Sequence, residues 1–302
     1  MGDVVAVSGL RKDYGQVSAV RDVDLTVRQG EVFALLGPNG AGKSTTVEIL
    51  EGHRARTAGE VSVLGFDPST GGRAYRERIG VVLQEAGFDE EFRVRELVRM
   101  YAALYPRHRD VDEVIDLVGL ADKRDERTKA LSGGQRRRLD LALGLVGDPE
   151  LHFLDEPTTG FDPSARRRAW DLIASLRGLG TTILLTTHYM EEAERLADRV
   201  AVLVDGRIVA SGSPAELMAA DSTALISFAL PLGVAASDLP EVSGRLLAED
   251  GRVTVETGHP TGDMRALVGW AGARGLELPD LTLRRPSLED VYLALTGERD
   301  GG

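Results

Sequence analysis

The chain has no cysteine, so neither a disulfide framework nor a thiolate metal site is available to it. Long apolar runs are also missing. No stretch reaches the roughly 18 uninterrupted apolar residues that a membrane-spanning helix needs. The nearest approach, residues 224–236, is broken by Pro231 and reads as a strand followed by a turn. Positive charge is in deficit: 36 Lys and Arg stand against 48 Asp and Glu, a formal net charge of −12. That balance suits a phosphate backbone poorly, so nucleic acid is not an expected partner. No charged leader precedes an apolar run at the start, so a cytoplasmic protein is expected. Any action at a membrane would then need docking through another protein.

What is present is ordinary for a globular protein, with 42% hydrophobic and 28% charged residues. At 302 residues there is room for one large domain and a small one. Short strand patterns occupy residues 4–10 and 22–27, and residues 31–36 form a compact apolar run typical of a buried strand. Residues 44–50 continue with helical spacing. From about 90 to 145 the chain is mostly helical, with Val94, Leu97, Val98, Tyr101 and Leu104 at three- and four-residue intervals. Apolar strands return at 151–154, 182–186 and 200–204, separated by helices at 164–177 and 190–198. Alternation of this kind predicts an α/β fold with a mostly parallel sheet, antiparallel N-terminal strands and a helical insertion at about 86–145.

The character changes near residue 220. Strands are expected at 224–230, 245–248 and 252–256, the last two joined by a turn at Asp250-Gly251. A helix at 262–273, a strand at 281–284 and a helix at 287–295 complete a small C-terminal α/β domain. The domains are therefore drawn at 3–219 and 220–302.

Between the strand at 31–36 and the helix at 44–50 lies Gly37-Pro38-Asn39-Gly40-Ala41-Gly42-Lys43-Ser44-Thr45, which fits the phosphate-loop pattern. Glycines let consecutive backbone N–H groups curl toward phosphate oxygens, and the following helix start adds a favourable dipole. Lys43 would reach the β- and γ-phosphates, and the Ser44 hydroxyl would bind Mg²⁺. The bland reading, a glycine turn that happens to contain Lys-Ser, is disfavoured by the strand and helix on either side.

Residues 151–156 form an apolar strand ending in two carboxylates, Asp155 and Glu156. By itself this is no more than a strand running into an acidic turn. After a phosphate loop, Asp155 is the candidate Mg²⁺ ligand and Glu156 the group that orients or deprotonates the attacking water. His152 interrupts the apolar run and receives no role.

Ser132-Gly133-Gly134-Gln135, after Leu131, opens the helical run 136–146 as a second helix start suited to an anion, yet without a lysine. At this point the sequence resembles the ATP-binding cassette ATPases, whose signature is Leu-Ser-Gly-Gly-Gln. The resemblance implies a phosphate-loop NTPase core working as a head-to-tail homodimer or pseudo-dimer. Each signature then contacts the γ-phosphate held by the opposite loop. Tyr14 resembles the aromatic that stacks on adenine, and Gln84 the glutamine that touches Mg²⁺ and couples the insertion to the nucleotide. Gly160-Phe161-Asp162 resembles the segment crossing the dimer interface, with Phe161 where leucine is usual. His188 resembles the switch histidine that bonds the γ-phosphate.

The match runs from Val4 to about Met218, with separated motifs in the required order. The ending Pro286-Ser287-Leu288-Glu289-Asp290-Val291-Tyr292 is similar to that of bacterial drug-export ATPase subunits of the daunorubicin-resistance type, whose transmembrane helices lie on a separate permease. A catalytic subunit that hydrolyses ATP for such a permease, peripheral on the inner membrane face, is therefore expected. A ribosome- or DNA-directed cassette is disfavoured by the single cassette and the acidic charge. An importer subunit is disfavoured by the small mixed tail.

Overall fold

The computed structural model describes residues 2–82, 91–178, 180–219 and 224–296, and the chain divides into two compact units, Met1–Pro214 and Ala215–Gly302. The first unit opens with two long strands, β1 (Asp3–Tyr14) and β2 (Val17–Arg28), and buried Val5, Val7, Leu25 and Val27 line one face. Strand β3 (Val32–Leu36) is buried throughout and runs into the phosphate loop and helix α1 (Lys43–Leu50). Strand β4 (Ala58–Val63), the short helix α2 (Gly72–Arg76) and strand β5 (Ile79–Val82) follow. The helical stretch holds α3 (Val94–Ala102), α4 (Val111–Leu117) and α5 (Gly133–Val146). The chain then alternates: β6 (Leu151–Asp155), α6 (Pro163–Gly178), β7 (Thr182–Thr187), α7 (Met190–Leu196), β8 (Arg199–Val204) and β9 (Arg207–Gly212). Helix α8 (Pro214–Ala219) starts at the last residue of this unit and otherwise belongs to the second.

Two sheets result. One has the order β2-β1-β4 and is antiparallel; the other has the order β5-β6-β7-β3-β8-β9, parallel except for β9. Buried Val5, Val7 and Val27 from the first sheet, Phe33, Leu35, Phe153 and Leu184 from the second, and Val47 and Leu50 of α1 share one hydrophobic core. The α/β architecture follows the expected one. Strands β4, β5 and β9 and helix α2 had no clear sequence signal. Strand β9 alternates half-buried and exposed residues at the sheet edge, and β5 has only four residues.

The second unit has an antiparallel sheet of order β11-β12-β10-β13, from β10 (Ala224–Ala229), β11 (Arg245–Glu249), β12 (Arg252–Thr257) and β13 (Thr282–Arg284). Asp250 and Gly251 join β11 to β12 with φ of 47° and 75°, as a type I′ hairpin turn requires. Helix α9 (Pro260–Ala273) brings Leu267, Trp270 and Ala271 against Ile226, Phe228, Val253 and Val255 of the sheet. Helix α10 (Leu288–Thr296) closes the described chain. Among the described residues no helix is long and apolar enough to cross a membrane.

Candidate active site

Strands β6, β7 and β3 lie side by side in parallel, so the loops leaving their C-terminal ends meet at one edge of the sheet. Open α/β sheets bind ligands outside that edge. The loop after β3 turns through Gly40 and Gly42, with φ of 82° and 102°. At Gly42 a Cβ would collide with the Ala19 carbonyl oxygen, so only glycine lets the loop pass so close to the preceding segment. Gly37 and Ala41 are buried, whereas Pro38, Asn39, Gly40 and Ser44 are exposed and Thr45 is half-buried.

Lys43 is 4% exposed. Its Nζ donates to the carbonyls of Gly37 at 2.9 Å and Pro38 at 3.1 Å, and stands 3.4 Å from Oε1 of Glu156. From the end of β6, Asp155 accepts from the Thr186 hydroxyl, and its Oδ1 lies 3.5 Å from the Ser44 hydroxyl. A hydroxyl and a carboxylate at this spacing are hard oxygen donors of the kind Mg²⁺ takes. Among the described residues no group of three or more His, Asp or Glu could hold a metal alone. The Ser44 and Asp155 oxygens suit Mg²⁺, which keeps several waters and shares its remaining positions with substrate phosphates.

Glu156 has φ of +46°, a left-handed conformation that is costly for a residue with a side chain. Its N–H donates to the Thr186 hydroxyl at 3.0 Å and the Thr186 carbonyl at 3.2 Å. The Thr159 hydroxyl donates to Oε2 at 3.0 Å. Nδ1 of His188, in the loop after β7, lies 3.2 Å from Oε1, a close approach whose angle is not that of a hydrogen bond. Burial by itself pushes the Glu156 carboxyl up. The contacts from His188, Thr159 and the Lys43 charge outweigh it, so the pKa lies below the usual glutamate value. The carboxylate is therefore held in its charged form.

The structure thus brings Lys43, Ser44, Asp155, Glu156 and His188 together from three strand ends. Other expected residues stand apart from this cluster. Tyr14 is 41% exposed at the end of β1, with Lys12 Nζ 5.0 Å and the Arg54 guanidinium 5.4 Å from its ring centre. Ser132 caps α5: its hydroxyl accepts from the Gln135 N–H, and its own N–H donates to the Gln135 side chain at 2.8 Å. Ser132 and Gly133 are exposed, and Gly134 and Gln135 half-buried. Asp162 caps α6 by accepting from the N–H groups of Ser164 and Ala165, which lowers its pKa. Gln84 lies outside the described residues. His152 is 1% exposed inside β6, and burial pushes its pKa down to about 3, so it is a neutral core residue.

Sequence reasoning missed Thr186 and Thr159, which hold the two carboxylates. Thr186 sits opposite Asp155 across the β6–β7 ladder, a register that no local motif announces.

Residues 20–159 match the family described as ABC transporter, and residues 224–287 match the C-terminal domain of ABC transporter domain-containing protein-like proteins. The chain is 41% identical to the daunorubicin resistance ATP-binding protein DrrA3 of Streptomyces coeruleorubidus, across 97% of this chain and 96% of that protein. It is also 41% identical to the Nod factor export ATP-binding protein I of Rhizobium sp. (strain N33), across 97% of each. Among solved structures it is similar to cbiO1 from Clostridium perfringens, part of the ABC transporter complex cbiONQ. That likeness has a TM-score of 0.65 at 28% identity and covers 72% of this chain and 92% of the other. Identity sustained over nearly the full length of such relatives shows that this chain belongs to the ABC transporter family, as an ATP-hydrolysing member.

Proposed function

We propose that this chain is the ATP-hydrolysing subunit of an exporter, acting as a homodimer or pseudo-dimer on a separate transmembrane permease. The observation that carries this reading is the convergence of Lys43, Ser44, Asp155, Glu156 and His188 at one sheet edge. Phosphoryl transfer needs little covalent chemistry from the protein; positioning and charge neutralisation supply most of the rate. In this reading the loop N–H groups from Asn39 to Thr45 and the Lys43 ammonium hold the β- and γ-phosphates. Ser44 and Asp155, with Gln84, hold Mg²⁺, which neutralises phosphate charge when bound. Glu156 orients the attacking water and takes its proton, and His188 contacts the γ-phosphate. Tyr14 stacks on the adenine. The signature residues Ser132, Gly133, Gly134 and Gln135 of a second copy cover the same nucleotide, with Asp162 at the dimer interface.

Export is supported by the similarity to daunorubicin resistance and Nod factor export ATP-binding proteins over almost the whole chain. A drug or other hydrophobic compound is the proposed cargo, selected by the permease. The subunit would sit at the cytoplasmic membrane face through that partner alone. The proposed domains are a nucleotide-binding domain at 3–219, with its helical insertion at 86–145, and an accessory domain at 220–302.

The test is ATP hydrolysis by the purified chain together with identification of what co-purifies with it. A multi-spanning membrane protein and Mg²⁺-dependent phosphate release are expected. Co-purification with ribosomes, and no membrane protein, would overturn the exporter reading.

A further inference from the structure

Arg137 is only 8% exposed, although it is a cation in the second turn of a helix, α5, whose first residues are the exposed signature segment. Its guanidinium reaches across to the far end of β6. Nη2 donates to the Asp155 carbonyl at 3.1 Å and to the Glu156 carbonyl at 3.4 Å, and Nε donates to the Pro157 carbonyl at 3.2 Å. One planar group therefore gathers the carbonyls of three consecutive residues, with Glu156 in the middle. A left-handed residue persists only where its surroundings over-determine it, and these bonds to the carbonyls add to those that the Glu156 N–H makes to Thr186.

Burial disfavours the charge of Arg137, and nearby carboxylates oppose that effect. Asp140, one turn further along α5, and Glu192 of α7 are both buried near it, and each has one carboxylate oxygen without a hydrogen-bond partner among the described residues. Glu192 is itself anchored by the Thr158 hydroxyl at 2.8 Å and the Trp170 indole N–H at 2.9 Å. A lysine at 137 would keep the positive charge these carboxylates call for. It would lose the fixed fork that spans three carbonyls.

We infer that Arg137 is a positioning residue for hydrolysis: from the signature helix it clamps the backbone of residues 155–157 and so aims the Glu156 carboxylate at the reacting water. The inference rests on the role assigned to Glu156 above. It adds that each copy ties the helix carrying its signature segment to its own carboxylate, so the two nucleotide sites of a dimer share a rigid element.

The test compares Arg137→Lys and Arg137→Gln with Glu156→Gln, measuring kcat, KM for ATP and Tm. Arg137→Lys should lose roughly tenfold in kcat with KM and Tm unchanged, as expected when an interaction needed only in the transition state is removed. Arg137→Gln should lose more, so that lysine acts as a partial rescue. Wild-type kcat in Arg137→Lys, or a loss matched by a fall in Tm, would overturn the inference. A fully active Glu156→Gln would instead overturn the role of Glu156, and an inactive Glu156→Gln beside a fully active Arg137→Lys would remove Arg137 alone.

Discussion

The Lys43 ammonium stands 3.4 Å from Oε1 of Glu156, and both side chains are almost fully buried. His188 approaches the same carboxylate oxygen from the neighbouring strand end. A phosphate group at the loop would compete with Glu156 for the lysine, and removing the carboxylate charge would favour the phosphate. Glu156→Gln is therefore expected to keep or tighten ATP binding while turnover falls roughly a hundredfold or more, the scale of a lost general base. Phosphate release and equilibrium nucleotide binding check this, together with size-exclusion chromatography for an ATP-trapped dimer. Unchanged hydrolysis would remove Glu156 from its role.

Ser132 is exposed at the start of α5, where it caps the helix. Cross-chain assembly predicts that Ser132→Arg abolishes hydrolysis while leaving nucleotide affinity of the monomer within about twofold. Specific activity of the wild type should also fall on dilution. Activity per chain that stays constant down to monomeric concentrations would contradict a composite site.

Tyr14 offers an exposed ring flanked by Lys12 and Arg54. Stacking of a base on an aromatic is worth about 1–3 kcal/mol. Tyr14→Ala should therefore raise the Kd for ATP by roughly five- to 150-fold, and Tyr14→Phe should not. Saturating ATP should restore kcat. Equal affinities in all three proteins would exclude stacking at this position.

Glu51, at the end of α1, is 3% exposed, and its pKa is pushed up to about 8, first by burial, then by the charges of Asp155 and Glu48. His53 Nδ1 lies 3.2 Å from its Oε2. The native chain thus binds a proton here that the unfolded chain, with the ordinary value of 4.5, releases earlier. The stabilisation is complete below the unfolded value and is lost as pH rises toward 8. Glu51→Gln should therefore stabilise the protein at pH 8 by roughly 1–3 kcal/mol, the cost of burying an uncompensated polar group. Little change is expected near pH 4.5. Denaturant unfolding at both pH values, without nucleotide, measures the difference; parallel pH profiles would refute it.

The phosphate loop, the paired carboxylates and the signature were legible in the sequence because each is a run of consecutive residues. A run of backbone N–H groups around one phosphate, or a serine capping its own helix, is a local arrangement that spacing reveals. The apolar-rich strands β3, β6, β7 and β8 were legible for the same reason, whereas the edge strand β9 and the four-residue β5 lack a distinct period.

Residue types and their linear order were enough to specify which groups this protein would bring to a triphosphate in the proposed reading. Their mutual placement came from the order β6-β7-β3, which sets Thr186 beside Asp155 and His188 beside Glu156. The left-handed backbone of Glu156, its depressed pKa and the reach of Arg137 from α5 likewise depend on neighbours far away in the chain. Contacts of that kind are created by strand pairing and packing, which bring together segments that no local pattern relates.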